Sequence, residues 1–167
     1  MGRDKAFVEI DGRPLALRVA DALFALRVVL VGRPEQGLER LGFPVVHDRT
    51  AAFQHPLLGV EAALEHAGEP ALLVPCDLGW LDRESVERLL AAEPPVVASD
   101  GSRLHPLLGV LTPALLPTVR SILERQGSVH ELARACGSVV LPAAALRNVN
   151  AAADMDTPSH KGYPRSP

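Results

Sequence analysis

The chain has 167 residues, 47% of them hydrophobic and 22% charged, the mixture of one ordinary globular domain and not of a disordered segment. Its 17 basic and 20 acidic residues give a net charge of −3, so the basic stripe of a nucleic-acid surface is missing and no nucleic-acid partner is expected. Aromatic residues make up only 4%, which argues for a core of Leu, Val and Ala and against a base-stacking platform.

The elements alternate along the chain. Ala6 to Ile10 is a short strand-like run, turned by Asp11-Gly12, a hairpin signal. Arg13-Pro14 opens an amphipathic helix in which Leu15, Val19, Ala22 and Leu23 repeat at helical spacing. Arg27 to Val31 is a β-branched run closed by Gly32, and Glu35 to Leu41 reads as a short helix ended by Gly42. Pro44 to His47 is a strand, followed by an irregular stretch from Asp48 to Gln54. Leu57 to Ala67 is helical up to Gly68, and Ala71 to Val74 is an apolar strand running into Pro75-Cys76-Asp77.

Asp82 caps a helix through Ala92, with Glu84 and Glu87 in its early turns. Val96 to Ser99 and Leu107 to Leu111 read as strands, Pro113 to Arg125 and Ser128 to Cys136 as helices. Val139 to Leu141 and Leu146 to Val149 are short extended pieces. Strands that alternate with helices and are apolar on both faces predict an α/β fold with a mostly parallel sheet. The organisation expected is one domain over residues 1–158 and a flexible tail over 159–167, which has no apolar period. One hexapeptide, HPLLGV, occurs at His55–Val60 and again at His105–Val110 with unrelated flanks, once at a helix start and once in a strand.

No apolar run approaches the ~18 residues of a membrane span, so no membrane partner is expected. Cys76 and Cys136 form neither a CxxC pair nor a disulfide framework, which points to a reducing cytoplasm. P-loop, GxGxxG, HExxH, zinc-ligand and GxSxG patterns are all missing. What remains is a set of polar residues at the carboxyl ends of strands, the edge where open α/β sheets bind ligands. Asp77 follows an apolar strand directly, so its carboxylate is either a hard oxygen ligand for Mg²⁺ or a cap on the next turn. Asp48 also follows a strand; His47 and His55 flank it, a set that needs tight geometry to hold a metal. Arg3, Asp4 and Lys5 form a charged triplet before the first run, and by themselves read as solvated. Asn148 and Asn150 alternate, so on an extended piece both point to one face.

Taken in order, MGRDKAFVEIDGRPLALRV at 1–19, VVLVG at 28–32, HDRTAAFQHPLLGVEAAL at 47–64, LLVPCDLGWL at 72–81, SDGSRLHPLLGV at 99–110 and LRNVNAAADM at 146–155 resemble the molybdenum cofactor guanylyltransferases, the MobA-like nucleotidyltransferases. The resemblance covers essentially the whole chain. It implies a Rossmann-like three-layer nucleotidyltransferase fold and the transfer of GMP from GTP to molybdopterin, with Mg²⁺ and release of pyrophosphate. Carried over position by position, it makes Lys5 and Asp77 catalytic, Asp77 the metal ligand, and Arg3, Lys5, Asp48 and Asp77 nucleotide contacts. Asn148, Asn150 and His105 fall at the pterin end. A nucleophile that is already an ionised phosphate needs no Ser, Cys or general base, so catalysis rests on positioning and charge neutralisation.

The family pattern begins with a strand and a Gly-rich loop, LAGGxSxR, ahead of the MGxDK piece, and this sequence does not contain them. The expectation is therefore a sheet lacking its first strand, a natural start further upstream, reduced activity in this form and a tendency to pair with a second copy. A non-catalytic nucleotide- or pterin-binding homologue, and a cytidylyl or sugar-phosphate transferase, are the other readings open at this stage.

Overall fold

The computed structural model describes residues 4–24, 26–49 and 53–149. The expected tail at 159–167 lies outside them. Asp4 caps a 3-10 turn, Lys5–Phe7, by accepting the Ala6 N–H at 3.0 Å. That turn takes Ala6 and Phe7 out of the first expected strand. What remains is β1, Glu9–Ile10, paired antiparallel with β2, Arg13–Pro14. Asp11 and Gly12 between them take φ of 53° and 72°, the left-handed pair that suits a tight hairpin. Helix α1 is Leu15–Ala22, and β3 and β4 are Leu30–Gly32 and Val45–His47. In place of the helix expected over Glu35–Leu41 stand two 3-10 turns, Pro34–Gln36 and Leu38–Leu41, split by Gly37 at φ 65°. A left-handed residue at that point breaks a continuous α-helix.

Helix α2, Pro56–Ala67, ends at Gly68, and β5 is Ala71–Leu73. Helix α3, Arg83–Leu90, is capped as its sequence predicts, with the Asp82 carboxylate accepting the Ser85 N–H at 2.8 Å. Strands β6 and β7 are Val96–Ser99 and Leu104–Leu111. A 3-10 turn, Pro113–Leu115, leads into α4, Leu116–Glu124. Helix α5 is Val129–Ala133 and β8 is Gly137–Val140. The extended piece expected at Leu146–Val149 forms no strand; it starts in a turn.

Strands β5, β7, β6 and β8 form one sheet in that order, and β3 and β4 form another. The β3–β4 and β6–β8 pairs are parallel, while β7 is antiparallel to both of its neighbours. The sheet is thus mixed rather than mostly parallel. The cause is local: Asp100 to Arg103 make a tight turn between β6 and β7, closed by Asp100 N–H to the Arg103 carbonyl at 3.1 Å, and so short a link permits only antiparallel neighbours.

Alternation along the central strands makes three layers. Val97 and Leu111 face a cluster with Leu57, Leu64, Val119, Ile122 and Leu132, from α2, α4 and α5. Val96, Ala98, Leu108 and Val110 face the other way, onto Val86 and Leu89 of α3. Among the described residues the two sheets are not bonded to each other. A cavity of about 630 Å³ lies between β3 and β5, lined by Val29, Val31, Leu72 and Leu73 and by Val19 and Ala63 of α1 and α2. No helix among the described residues is long and apolar enough to cross a membrane.

Candidate active site

The local fold brings Lys5 and Asp77 together across 72 positions of sequence. The Lys5 ammonium lies 3.1 Å from Asp77 Oδ2, with side chains 48% and 19% exposed. Each is held from behind. Lys5 is carried on the turn that Asp4 caps, and the other Asp4 oxygen accepts from Gln36 Nε2 at 2.5 Å. Gln36 in turn accepts the Arg33 N–H at 2.6 Å, anchoring the group to the loop after β3. Asp77 leaves β5 through Pro75 and Cys76, and its carbonyl accepts the Val149 N–H at 2.9 Å. That bond brings Asn148 into the neighbourhood of Asp77, with its side chain exposed and Val149 buried at 2%.

Asp48 continues the ladder of β4 beyond its end, donating its N–H to the Gly32 carbonyl at 3.2 Å. Its Oδ1 is buried and has no hydrogen-bond partner. It lines a second cavity, of about 720 Å³, with Gly32, Gln36, Arg49, His55 and Gly59. A buried carboxylate oxygen without a donor is costly, and a ligand's N–H or O–H groups would satisfy it.

His105 is not drawn to the Lys5–Asp77 pair. Its Nε2 is 3.8 Å from Asp100 Oδ2, beyond hydrogen-bond reach, and is buried without a hydrogen-bond partner. Asp100 is held well below the usual carboxylate range, first by the backbone N–H of Ser102, then by the Ser102 hydroxyl and the Arg103 N–H. Because β7 runs antiparallel to β5, His105 still stands at the sheet edge to which Asp77 belongs. Arg3 and Asn150 lie outside the described residues.

His47 and His55 do not join Asp48 as a metal cluster. His55 caps α2, its Nδ1 accepting the Leu57 N–H at 3.1 Å and its Nε2 meeting the Gly127 carbonyl at 2.9 Å. His47 sits on the Gly32 carbonyl at 3.3 Å and faces Glu39. Among the described residues no group of three or more His, Cys, Asp or Glu side chains converges on a possible ion. Asp77 alone fits a cation that brings most of its own ligands, as Mg²⁺ does when it arrives on phosphates. Cys76 is no nucleophile: burial first, then the charges of Asp77 and Asp4, push its thiol up to about 11.

Sequence reasoning missed the Asp4 cap, a local Asp-to-N–H turn, and the Gln36–Asp4 bond, which spans 32 positions and has no local signature. It also missed Glu61, which did have one. Leu57, Glu61 and Leu64 share a helical face at spacings of four and three, so a carboxylate stands in a buried stripe.

The MobA-like NTP transferase domain matches residues 1–140. A molybdenum cofactor guanylyltransferase of Serratia proteamaculans is 35% identical over 135 residues, 74% of this chain and 66% of that protein's length. The chain thus spans about two thirds of such relatives. Among solved structures, molybdopterin-guanine dinucleotide biosynthesis protein A of Archaeoglobus fulgidus superposes with a TM-score of 0.72, at 18% identity, over 90% of this chain and 86% of that one. The 2-C-methyl-D-erythritol 4-phosphate cytidylyltransferase of Thermus thermophilus gives 0.60 at 18% identity, over 90% of each chain. The mixed, three-layered sheet is therefore that of the Rossmann-like nucleotidyltransferases, and the chain belongs to the MobA-like NTP transferase family.

Proposed function

We propose that this chain is an Mg²⁺-dependent guanylyltransferase domain that moves GMP from GTP onto the terminal phosphate of molybdopterin. A phosphate oxygen of the pterin attacks the α-phosphorus of GTP, the bond to the β-phosphate oxygen breaks, and pyrophosphate leaves. The observation that carries the reading is the Lys5–Asp77 pair, 3.1 Å apart at the sheet edge, in a chain whose relatives bear that activity in their name.

The groups suit the task. Lys5 offers a positive charge to the triphosphate, offsetting the repulsion between two anionic reactants. Mg²⁺, held by Asp77, would neutralise charge on the α- and β-phosphates. Asp48 supplies an acceptor oxygen in a cavity of nucleoside size, and guanine presents two adjacent donors, N1–H and N2–H, where cytosine and adenine present one amino group beside an acceptor. On this reading Asn148, Asn150 and His105 would contact the pterin, and Arg3 the nucleotide. The reaction requires no protein nucleophile, in keeping with the protonated state of Cys76.

Thermal melting with GTP, CTP and ATP in Mg²⁺ tests the base preference. GTP is expected to stabilise the chain alone, by about 2.7 kcal/mol at a hundredfold excess over Kd. Equal shifts with all three would remove the guanylyl assignment.

A further inference from the structure

A charge cluster beside the second cavity stands apart from the Lys5–Asp77 pair. Glu61 on α2 is 5% exposed. Arg49 Nε donates to its Oε2 at 2.7 Å, and Arg120 Nε to its Oε1 at 3.0 Å. Both oxygens are thus engaged by charged donors, the condition under which a buried charge is tolerated. Arg120 also donates to Glu65 at 2.5 Å, so the cluster ties α4 to α2. Burial pushes the Glu61 carboxyl up, but the hydrogen bonds and charges of Arg49 and Arg120 outweigh it and leave the group below its ordinary value.

Arg49 is the residue after Asp48. Two consecutive residues are therefore fastened to different parts of the molecule. The Asp48 backbone is bonded to Gly32 at the end of β3, and the Arg49 side chain to α2. Both residues border the second cavity, so holding the Arg49 side chain on α2 fixes the backbone from which Asp48 reaches it. A carboxylate oxygen can then stay unpaired until a ligand arrives, which demands a fixed backbone beneath it.

We propose that Glu61 is a positioning residue: acting through Arg49, it sets where Asp48 meets the nucleobase of a bound nucleoside triphosphate. This rests on the reading of Asp48 as a nucleobase contact. The Arg49 side chain is 56% exposed, and in Arg49→Met the Glu61 carboxylate keeps Arg120 on its other oxygen; Glu61→Gln, which keeps the side-chain shape, serves as the second variant.

The test compares Kd for GTP and for inorganic tripolyphosphate, which has no base, and follows amide exchange at Asp48 and Arg49 with β6 amides as an internal control. Arg49→Met is expected to weaken GTP on the order of tenfold, the scale of a displaced site residue, and to leave tripolyphosphate unchanged. Exchange at residues 48 and 49 rises while β6 does not. Arg49→Lys recovers part of both effects, and Glu61→Gln reproduces the exchange change. Unchanged exchange in Arg49→Met overturns the proposal, as does equal weakening of GTP and tripolyphosphate. If the parent chain binds no GTP, the proposed function falls, and the exchange arm still decides whether Glu61 fixes the backbone at Asp48.

Discussion

Lys5 shows how little one residue says until its partner is placed. As part of a charged triplet it reads as solvated, and only the resemblance gave it a role. The fold adds Asp77 at 3.1 Å, a contact across 72 positions that no local pattern contains. The ion pair itself contributes little to folding, because Lys5 is half exposed and such pairs are worth about 0–1 kcal/mol. Asp77→Asn keeps the side-chain shape and is therefore expected to leave the melting temperature of the free chain nearly unchanged. It is expected to remove the extra stabilisation that Mg²⁺ adds to GTP. Melting curves with GTP, with and without Mg²⁺, check this; a surviving Mg²⁺ increment would place the metal on other groups. Asp77 itself was legible as a strand-end carboxylate. The bond from Gln36 to Asp4 was not, since it joins residues 32 positions apart.

The repeated HPLLGV separates what sequence decides locally from what packing decides. In α2 the first copy places Pro56 in the first turn, a position that helix starts favour, and His55 at the cap, where its ring nitrogen accepts the Leu57 N–H. In β7 the second copy runs extended, and its register against β6 slips between Val97 and Ala98. Pro106 falls on the β7 side of that slip, and an irregularity is where a strand admits a residue without an N–H. For that reason β7 reaches back to Leu104 although the sequence pattern started it at Leu107. The glycines differ in the same way. A Cβ on Gly109 would lie 2.1 Å from the Val96 carbonyl oxygen and 2.7 Å from Val97 Cα, whereas one on Gly59 meets only Val31 Cγ1, at 3.7 Å. Gly109→Ala is expected to destabilise the chain by about 3 kcal/mol or more, since backbone must move to admit the methyl group. Gly59→Ala is expected to be neutral or to stabilise by up to about 1 kcal/mol through helix propensity. Denaturant unfolding of the two variants tests the contrast, and equal effects would refute it.

Across the whole molecule, alternating elements made the α/β class readable, because burial on both faces of β6 and β7 leaves a clear apolar signature, and the resemblance implied the three layers. The division into separate sheets was not readable, because alternation does not say which strands pair. The physical consequence is in how stability is distributed. The sheet of β5, β7, β6 and β8 is sealed on one side by α2, α4 and α5 and on the other by α3, and all four β6 residues are buried. The β3–β4 pair has three residues a strand and none of its strand residues falls in the two large core clusters. Two-stranded sheets are marginal without such support, and no ladder bond among the described residues crosses the cavity to lend it any. The two sheets are therefore expected to open separately, as distinct cooperative units. Native-state hydrogen exchange reads this directly. The amides of Leu30 and Asp48, bonded to the Pro44 and Gly32 carbonyls at 2.9 and 3.2 Å, should exchange through a low-energy local opening. The amides of β6 should exchange only near global unfolding. Because Asp48 belongs to the weaker unit, nucleotide bound there should raise protection at Leu30 and Asp48 far more than at β6. Equal protection of both sheets in the free chain would show that the cavity does not divide the fold, and a ligand effect confined to β6 would remove Asp48 from the site.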